Sequence, residues 1–249
     1  MKKTIALILT SVLLLATLSF TACSSGNSDD AFLSALAQGL EARWAMTNKF
    51  DNDEDSKETK AGWESWFNAE YDKIQSYKDS EFENADLGKW AKKYIESIEE
   101  SIDCLQYYGT NQWNEKYSNG AYQRRVAALY KINSIVPIEV SGDYESNLSD
   151  LLTDGEVSEF ASKVLKNTEF KKIEDEYGWK TYQAVIENTS SANFSYFSLT
   201  VGLVDKDGVT VETEEPMVEQ WNAGEKTRFE FSTDEKFEKL DVKYASWDF

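Results

Sequence analysis

The chain contains no histidine at all, and only two cysteines and four arginines among its 249 residues. Without imidazole there is no Ser-His-Asp or Cys-His relay, no histidine zinc site and no histidine pH switch. Basic residues are scarce as well. Lysine and arginine number 26 against 45 aspartates and glutamates, a net charge of −19 and a pI near 4.4. That sign opposes sequence-independent attraction to a nucleic-acid backbone, so no nucleic-acid partner is expected. Nothing in the sequence calls for a cofactor. Aromatic residues, by contrast, make up 14% of the chain, too many for a disordered acidic polypeptide. A packed core is therefore expected.

Lys2 and Lys3 precede an apolar run from Ile5 to Leu18, followed by Phe20-Thr21-Ala22-Cys23. A positive start, an apolar stretch and small residues before a cut describe a secretory signal. An uncleaved anchor is the alternative, because the run approaches the ~17 residues needed to span a bilayer. Small residues followed by cysteine at the end of such a run resemble the lipobox of bacterial lipoproteins. Phe20 departs from the usual leucine. The resemblance implies cleavage after residue 22, diacylation of the Cys23 sulfur, and a location on the outer face of a bacterial membrane. Residues 23–30, beginning Cys23-Ser24-Ser25-Gly26-Asn27-Ser28, then read as a tether. Loss of Lys2 and Lys3 leaves 24 basic against 45 acidic residues, a mature charge of −21. Cys104 remains as a single thiol with no internal partner.

Residues 31–175 read as helical. Phe32, Leu36, Leu40 and Trp44 recur every four residues. Trp63, Trp66, Phe67, Tyr71, Ile74 and Tyr77 form a second stripe. Leu87, Trp90, Tyr94, Ile98, Ile102 and Leu105 form the clearest third, with Lys89, Lys92, Lys93, Glu96, Glu99, Glu100 and Asp103 opposite. A fourth helix is expected from about Trp113 to Ile132, with Asn119-Gly120 as its weak point. Val136 to Val140 is a link, and the pattern resumes through Leu165. The expectation is an all-α bundle of five or six helices.

From Trp179 the period changes to two. Tyr182, Ala184 and Ile186 alternate with Gln183, Val185 and Glu187, Phe197 to Leu203 form a second strand, and Asp207-Gly208 is a hairpin cue. Met217 to Trp221, Thr227 to Phe231 and Leu240 to Tyr244 complete an antiparallel β-sandwich. Glu187-Asn188-Thr189, Val201-Gly202-Leu203-Val204-Asp205-Lys206-Asp207-Gly208, Trp221-Asn222-Ala223-Gly224-Glu225 and Phe229-Glu230-Phe231 resemble the FxLYD domain. That family consists of small β-sandwich modules of bacterial surface lipoproteins. The resemblance covers about residues 177–249; Leu203 and Asp205 match the naming motif, while Val201 and Val204 replace its Phe and Tyr. Gly39-Leu40-Glu41-Ala42-Arg43-Trp44 also resembles the first helix upstream of this module in related lipoproteins. The family implies a fold and a location, and no reaction.

Asp51 to Asp55 invites a calcium reading, but Ser56 stands where an EF-hand loop turns on glycine and Gly62 where its bidentate glutamate belongs. A solvated charge run is the better account, and no metal site is expected. Asp205 and Asp207 read as a hairpin loop rather than a catalytic pair. Trp63, Trp66, Trp90, Tyr107, Tyr108 and Trp113 are candidates for a ligand groove, set against their placement in the core. Arg124 and Arg125 point ~100° apart on a helix, so one is expected to answer an acid within the bundle and the other to contact an anion. The leading functional expectation is a non-enzymatic, lipid-anchored surface protein that binds an extracellular protein or glycan. The alternative is a carboxylate-dependent hydrolase of cell-surface glycan, the common catalytic chemistry that needs no histidine.

Overall fold

The computed structural model describes residues 28–51 and 57–249. Cys23, the signal-like segment before it and Asn52 to Asp55 of the acidic loop lie outside these residues. The chain folds as an N-terminal all-α bundle followed by a C-terminal antiparallel β-sandwich.

Helix α1 (Ser28–Asp51) begins inside the segment expected to be tether. The Asp29 carboxylate fixes that start by accepting the backbone N–H groups of Glu83 and Asn84, both at 2.9 Å. Helix α2 (Lys60–Ile74) is capped by Thr59, whose hydroxyl accepts the Gly62 N–H. Helix α3 (Ala85–Cys104) is capped by Asn84 across Asp86 and Leu87. The fourth expected helix opens as α4 (Asn111–Trp113), widens into a π-helical stretch over Asn114–Tyr122, and continues as α5 (Gln123–Ile135). The expected weak point at Asn119-Gly120 lies inside the widened stretch. Helix α6 (Glu145–Asn167) completes the bundle. Its Gly155 has a role no other residue fits: a Cβ there would stand 2.3 Å from the Val126 carbonyl oxygen and 2.7 Å from Tyr130 Cβ. Glycine lets α5 and α6 touch backbone to backbone. No helix of the described residues is long and apolar enough to cross a membrane.

Seven strands follow: β1 (Lys171–Glu176), β2 (Trp179–Glu187), β3 (Phe194–Val204), β4 (Thr210–Glu214), β5 (Met217–Trp221), β6 (Lys226–Thr233) and β7 (Lys239–Asp248). One sheet has the order β1-β2-β6, with Tyr182 opposite Phe231 and Ala184 opposite Phe229. In the other, the long β3 pairs with β7 along one edge. Along its other edge it pairs with β5 through Phe194 to Ser198 and with β4 through Val201 to Val204. Strand β1 was not legible from alternation: its six side chains are all exposed, and residues 171–175 fall within the segment expected to be helical. The Tyr177-Gly178 turn, with φ of 53° and 90°, folds it back on β2.

Two cores form. The larger is the bundle's, built on Phe32, Leu36, Leu40, Phe67, Ile74, Tyr94, Ile98 and Leu129. The smaller combines Phe194, Phe197, Leu199, Val201, Trp221 and Phe229 of the sheets with Val157, Phe160, Ala161 and Val164 of α6. Phe160 lies 6.0 Å from the Phe194 ring, 5.9 Å from Phe197 and 5.6 Å from Trp221. The packing boundary between the two units therefore runs along α6, upstream of the expected boundary at 175/177. Removing α6 exposes the aromatic end of the sandwich. Residues 168–249 alone should lose the sharp near-ultraviolet dichroism of packed aromatics, while residues 145–249 should retain a cooperative melt. In the full chain, Phe160→Ala should lower unfolding free energy by about 3–5 kcal/mol in a denaturant titration.

Candidate functional site

A groove of about 670 Å³ runs between α3, the π-helical stretch with α5, and α6. Its size falls within the roughly 300–1,000 Å³ of small-molecule sites. Helix α3 turns Tyr94, Ile95 and Ile98 into the core and gives Trp90, Lys93, Glu96 and Glu100 to the groove. The widened stretch supplies Asn119 and Gly120, and α5 adds Gln123 and Arg124. Glu159, Ser162 and Lys166 of α6 form the remaining wall. Nε and Nη2 of Arg124 both meet Glu100 Oε2 at 2.7 Å. Glu159 Oε1 takes Lys131 at 2.9 Å and Lys163 at 3.4 Å. Burial pushes the Glu159 carboxyl upward, but its two ammonium partners outweigh that and hold it below the ordinary glutamate range. Trp90 is half-buried, with Lys93 Nζ 4.4 Å and Lys89 Nζ 5.5 Å from its ring centroid.

The six aromatics expected to share a groove do not share one. Trp90 alone lines it. Trp63, Trp66 and Trp113 join Phe67 and Tyr117 in an aromatic cluster, with Trp63 5.1 Å from Trp66 and 5.5 Å from Trp113. Trp113 stacks on Tyr117 at 4.5 Å, and Tyr108 meets Trp113 edge-on at 5.4 Å. Those ring faces are used by one another, as helical stripes require when two of them meet in a core. Tyr107 is half-buried in the 3-10 turn Leu105–Tyr107 that follows α3 and does not line the groove.

Arg124 and Arg125 diverge as their helical spacing demands. Arg124 enters the groove, paired with Glu100 rather than left free for an anion. Arg125 is buried and reaches Glu70 Oε2 at 2.7 Å. The same oxygen accepts from Arg43 at 3.2 Å, and Glu70 Oε1 accepts the Tyr94 hydroxyl. Arg43 comes from α1, Glu70 from α2, Tyr94 from α3 and Arg125 from α5. Glu70 occupies a position on the buried α2 stripe, three residues after Phe67 and four before Ile74. A carboxylate there is the one signal of this cluster. Its partners lie on other helices, where periodicity within α2 cannot point to them. Asp205 is part of a hairpin loop: its Oδ1 accepts the N–H groups of Asp207 and Val209, each at 2.9 Å. Cys104 is buried, and desolvation pushes its thiol upward, an environment that disfavours thiolate chemistry. Among the described residues no group of three or more Cys, Asp or Glu side chains is arranged to hold a metal ion.

A second hollow, about 640 Å³, lies between the end of α6 and β2. It offers no aromatic platform comparable to Trp90 and no guanidinium–carboxylate pair. The α3–α5–α6 groove is accordingly the stronger candidate.

No family model matches the chain, and no curated protein matches it. Among solved structures the chain is similar to IrmA from Escherichia coli, at 23% identity over 33% of this chain and 73% of that one, with a TM-score of 0.27. A likeness this slight carries no argument.

The Glu70 cluster makes a direct prediction. Glu70→Gln keeps the shape but leaves Arg43 and Arg125 buried without a counter-charge, so unfolding free energy should fall by about 3–5 kcal/mol. Burial alone would raise the Glu70 carboxyl, yet Arg125, Arg43 and the Tyr94 hydroxyl together set it below 4.5, its ordinary value. A depressed native pKa means the contribution is fully present above pH 4.5 and is lost as pH falls through the lower, native value. Denaturant titrations of wild type and Glu70→Gln should thus differ most at neutral pH and converge in acid.

Proposed function

We propose that the protein is anchored by lipid at Cys23 to the outer face of a bacterial membrane and binds an extracellular ligand in the α3–α5–α6 groove. The observation that carries the binding half is the groove itself, where Trp90 and the Arg124–Glu100 pair line one hollow. The membrane half rests on Lys2-Lys3, the Ile5 to Leu18 run and Thr21-Ala22-Cys23. The C-terminal sandwich, which resembles an FxLYD module, is the second part of the same surface protein. Two lipid chains are needed for stable anchoring, at ~0.8 kcal/mol per buried methylene. Cys23→Ser should therefore leave the membrane fraction or persist as unprocessed precursor on fractionation. A processed variant that remains fully membrane-bound would sink the lipid-anchor reading.

One observation favours the hydrolase alternative: Glu96, Glu100 and Glu159 line the same groove. A glycosidase needs one carboxyl kept protonated by an apolar wall. Glu159 is instead held ionised by Lys131 and Lys163, and Glu100 sits on a guanidinium. This supports reversible binding. The purified chain should release no reducing ends from cell-wall glycan. Turnover abolished by both Glu100→Gln and Glu159→Gln, with unchanged circular dichroism, would promote the hydrolase.

A further inference from the structure

Strand β2 outruns one of its two neighbours. On one side it pairs with β6 from Lys180 to Glu187. On the other it pairs with β1 only as far as Gln183, which faces Lys171. Residues 168–170 carry the chain from α6 into β1, and no backbone hydrogen bond joins them to β2. Ala184 to Glu187 therefore have a partner strand on one side alone.

The ladder fixes which groups are left open. Asn188 continues the β2–β6 register: its N–H donates to the Glu225 carbonyl at 2.9 Å, and its carbonyl accepts the Gly224 N–H at 2.8 Å. Asn188 thus turns toward β6, and in an antiparallel ladder alternate residues do the same. Ala184 and Ile186 share that direction. Val185 and Glu187 turn their N–H and C=O groups the opposite way, where no backbone partner stands among the described residues. They open into the hollow of about 640 Å³ between β2 and the end of α6. Phe160 and Val164 of α6 wall it beside Ala184 and Ile186. Val185 and Ile173, 61% and 54% exposed, stand at its mouth. Open sheet edges are commonly guarded by charge, and β1 is charged at every position except Ile173. The open stretch of β2 presents valine instead.

Backbone donors and acceptors repeating at strand spacing define the occupant. An extended polypeptide carries the complementary set, whereas a helix has already used its own. The lining holds Lys163 and Lys171 against Glu169 and Glu187, so the slot itself selects no sign of charge. The chain as a whole carries −19, which repels a second copy and any acidic partner.

We infer that this slot takes an extended segment of a neutral or basic partner polypeptide as an added strand, in line with β1 and alongside Val185 to Glu187. The segment exchanges backbone hydrogen bonds with Val185 and Glu187. Its residue opposite Ile186 lies on the core-side face, beside Phe160 and Val164, where a β-branched or aromatic side chain fits. No residue lines both this slot and the α3–α5–α6 groove, so the two sites stand or fall separately.

A phage-displayed library of random heptapeptides can be panned on the full-length protein in detergent, and the enriched sequences made with capped ends for calorimetry. They should carry β-branched or aromatic residues at alternate positions and no net negative charge. N-methylating one peptide amide at a time should weaken binding about tenfold or more at every second position, and little in between. Val185→Pro removes a donor that β6 does not use. It should weaken binding by a similar factor, with circular dichroism unchanged and the free protein monomeric on sedimentation. If Val185→Pro fails to fold, the N-methyl series on the unaltered protein still carries the test. Enrichment of no peptide, enrichment of acidic ones, a flat N-methyl profile, or a folded Val185→Pro that binds as tightly overturns the inference. So does a dimer that Val185→Pro dissociates, since a second copy would then fill the slot.

Discussion

The bundle depends on one carboxylate. Glu70 has no exposed surface, and it joins Arg43, Tyr94 and Arg125 from three other helices. Two guanidiniums share it, so the cluster keeps a net positive charge inside an acidic protein. Such a centre is weak evidence for stability in itself, because desolvation opposes the Coulombic gain. Its consequence is geometric. The Glu70 oxygens can satisfy Arg43, Arg125 and Tyr94 together only at one mutual setting of α1, α2, α3 and α5. Gly39 reinforces that setting, since a Cβ there would stand 3.0 Å from the Glu70 carbonyl oxygen. Arg125 lies next to Arg124, so fixing Arg125 in the interior also fixes which way Arg124 points. The groove's guanidinium is aimed by the buried one.

The fold class was largely legible in the sequence, and the reason lies in the residues. Leu87, Ala91, Tyr94 and Ile98 on α3, or Phe197, Leu199, Val201 and Leu203 on β3, bury one face and follow its period strictly. Where both faces are exposed, as in β1, no period exists to be read. Where one helix serves two cores, the two patterns overlap. Leu148 faces the bundle while Val157, Phe160, Ala161 and Val164 face the sheets, so α6 read as one more bundle helix. The candidate site was less legible. Trp90 shares its stripe with core residues, and only the approach of α6 leaves space beside it. Glu70 and Arg43 are charged residues whose partners lie on other helices, and sequence spacing within one helix carries no information about them.

Helix α6 is where the two halves of the molecule become one mechanical unit. Val157, Phe160, Ala161 and Val164 close the end of the sandwich. The adjoining face, with Ser158, Glu159, Ser162 and Lys166, forms a wall of the groove. Gly155 presses the same helix against α5, and the Tyr122 hydroxyl donates to Asp154 to tie the π-helical stretch to it. Interiors packed at crystal density transmit strain rather than absorb it. A ligand that spreads or tightens the groove must move α6 relative to α3 and α5, and that movement shifts Phe160 against Phe194, Phe197 and Trp221. The sandwich is therefore more than a passenger on the bundle: its aromatic end holds the groove's third wall in place.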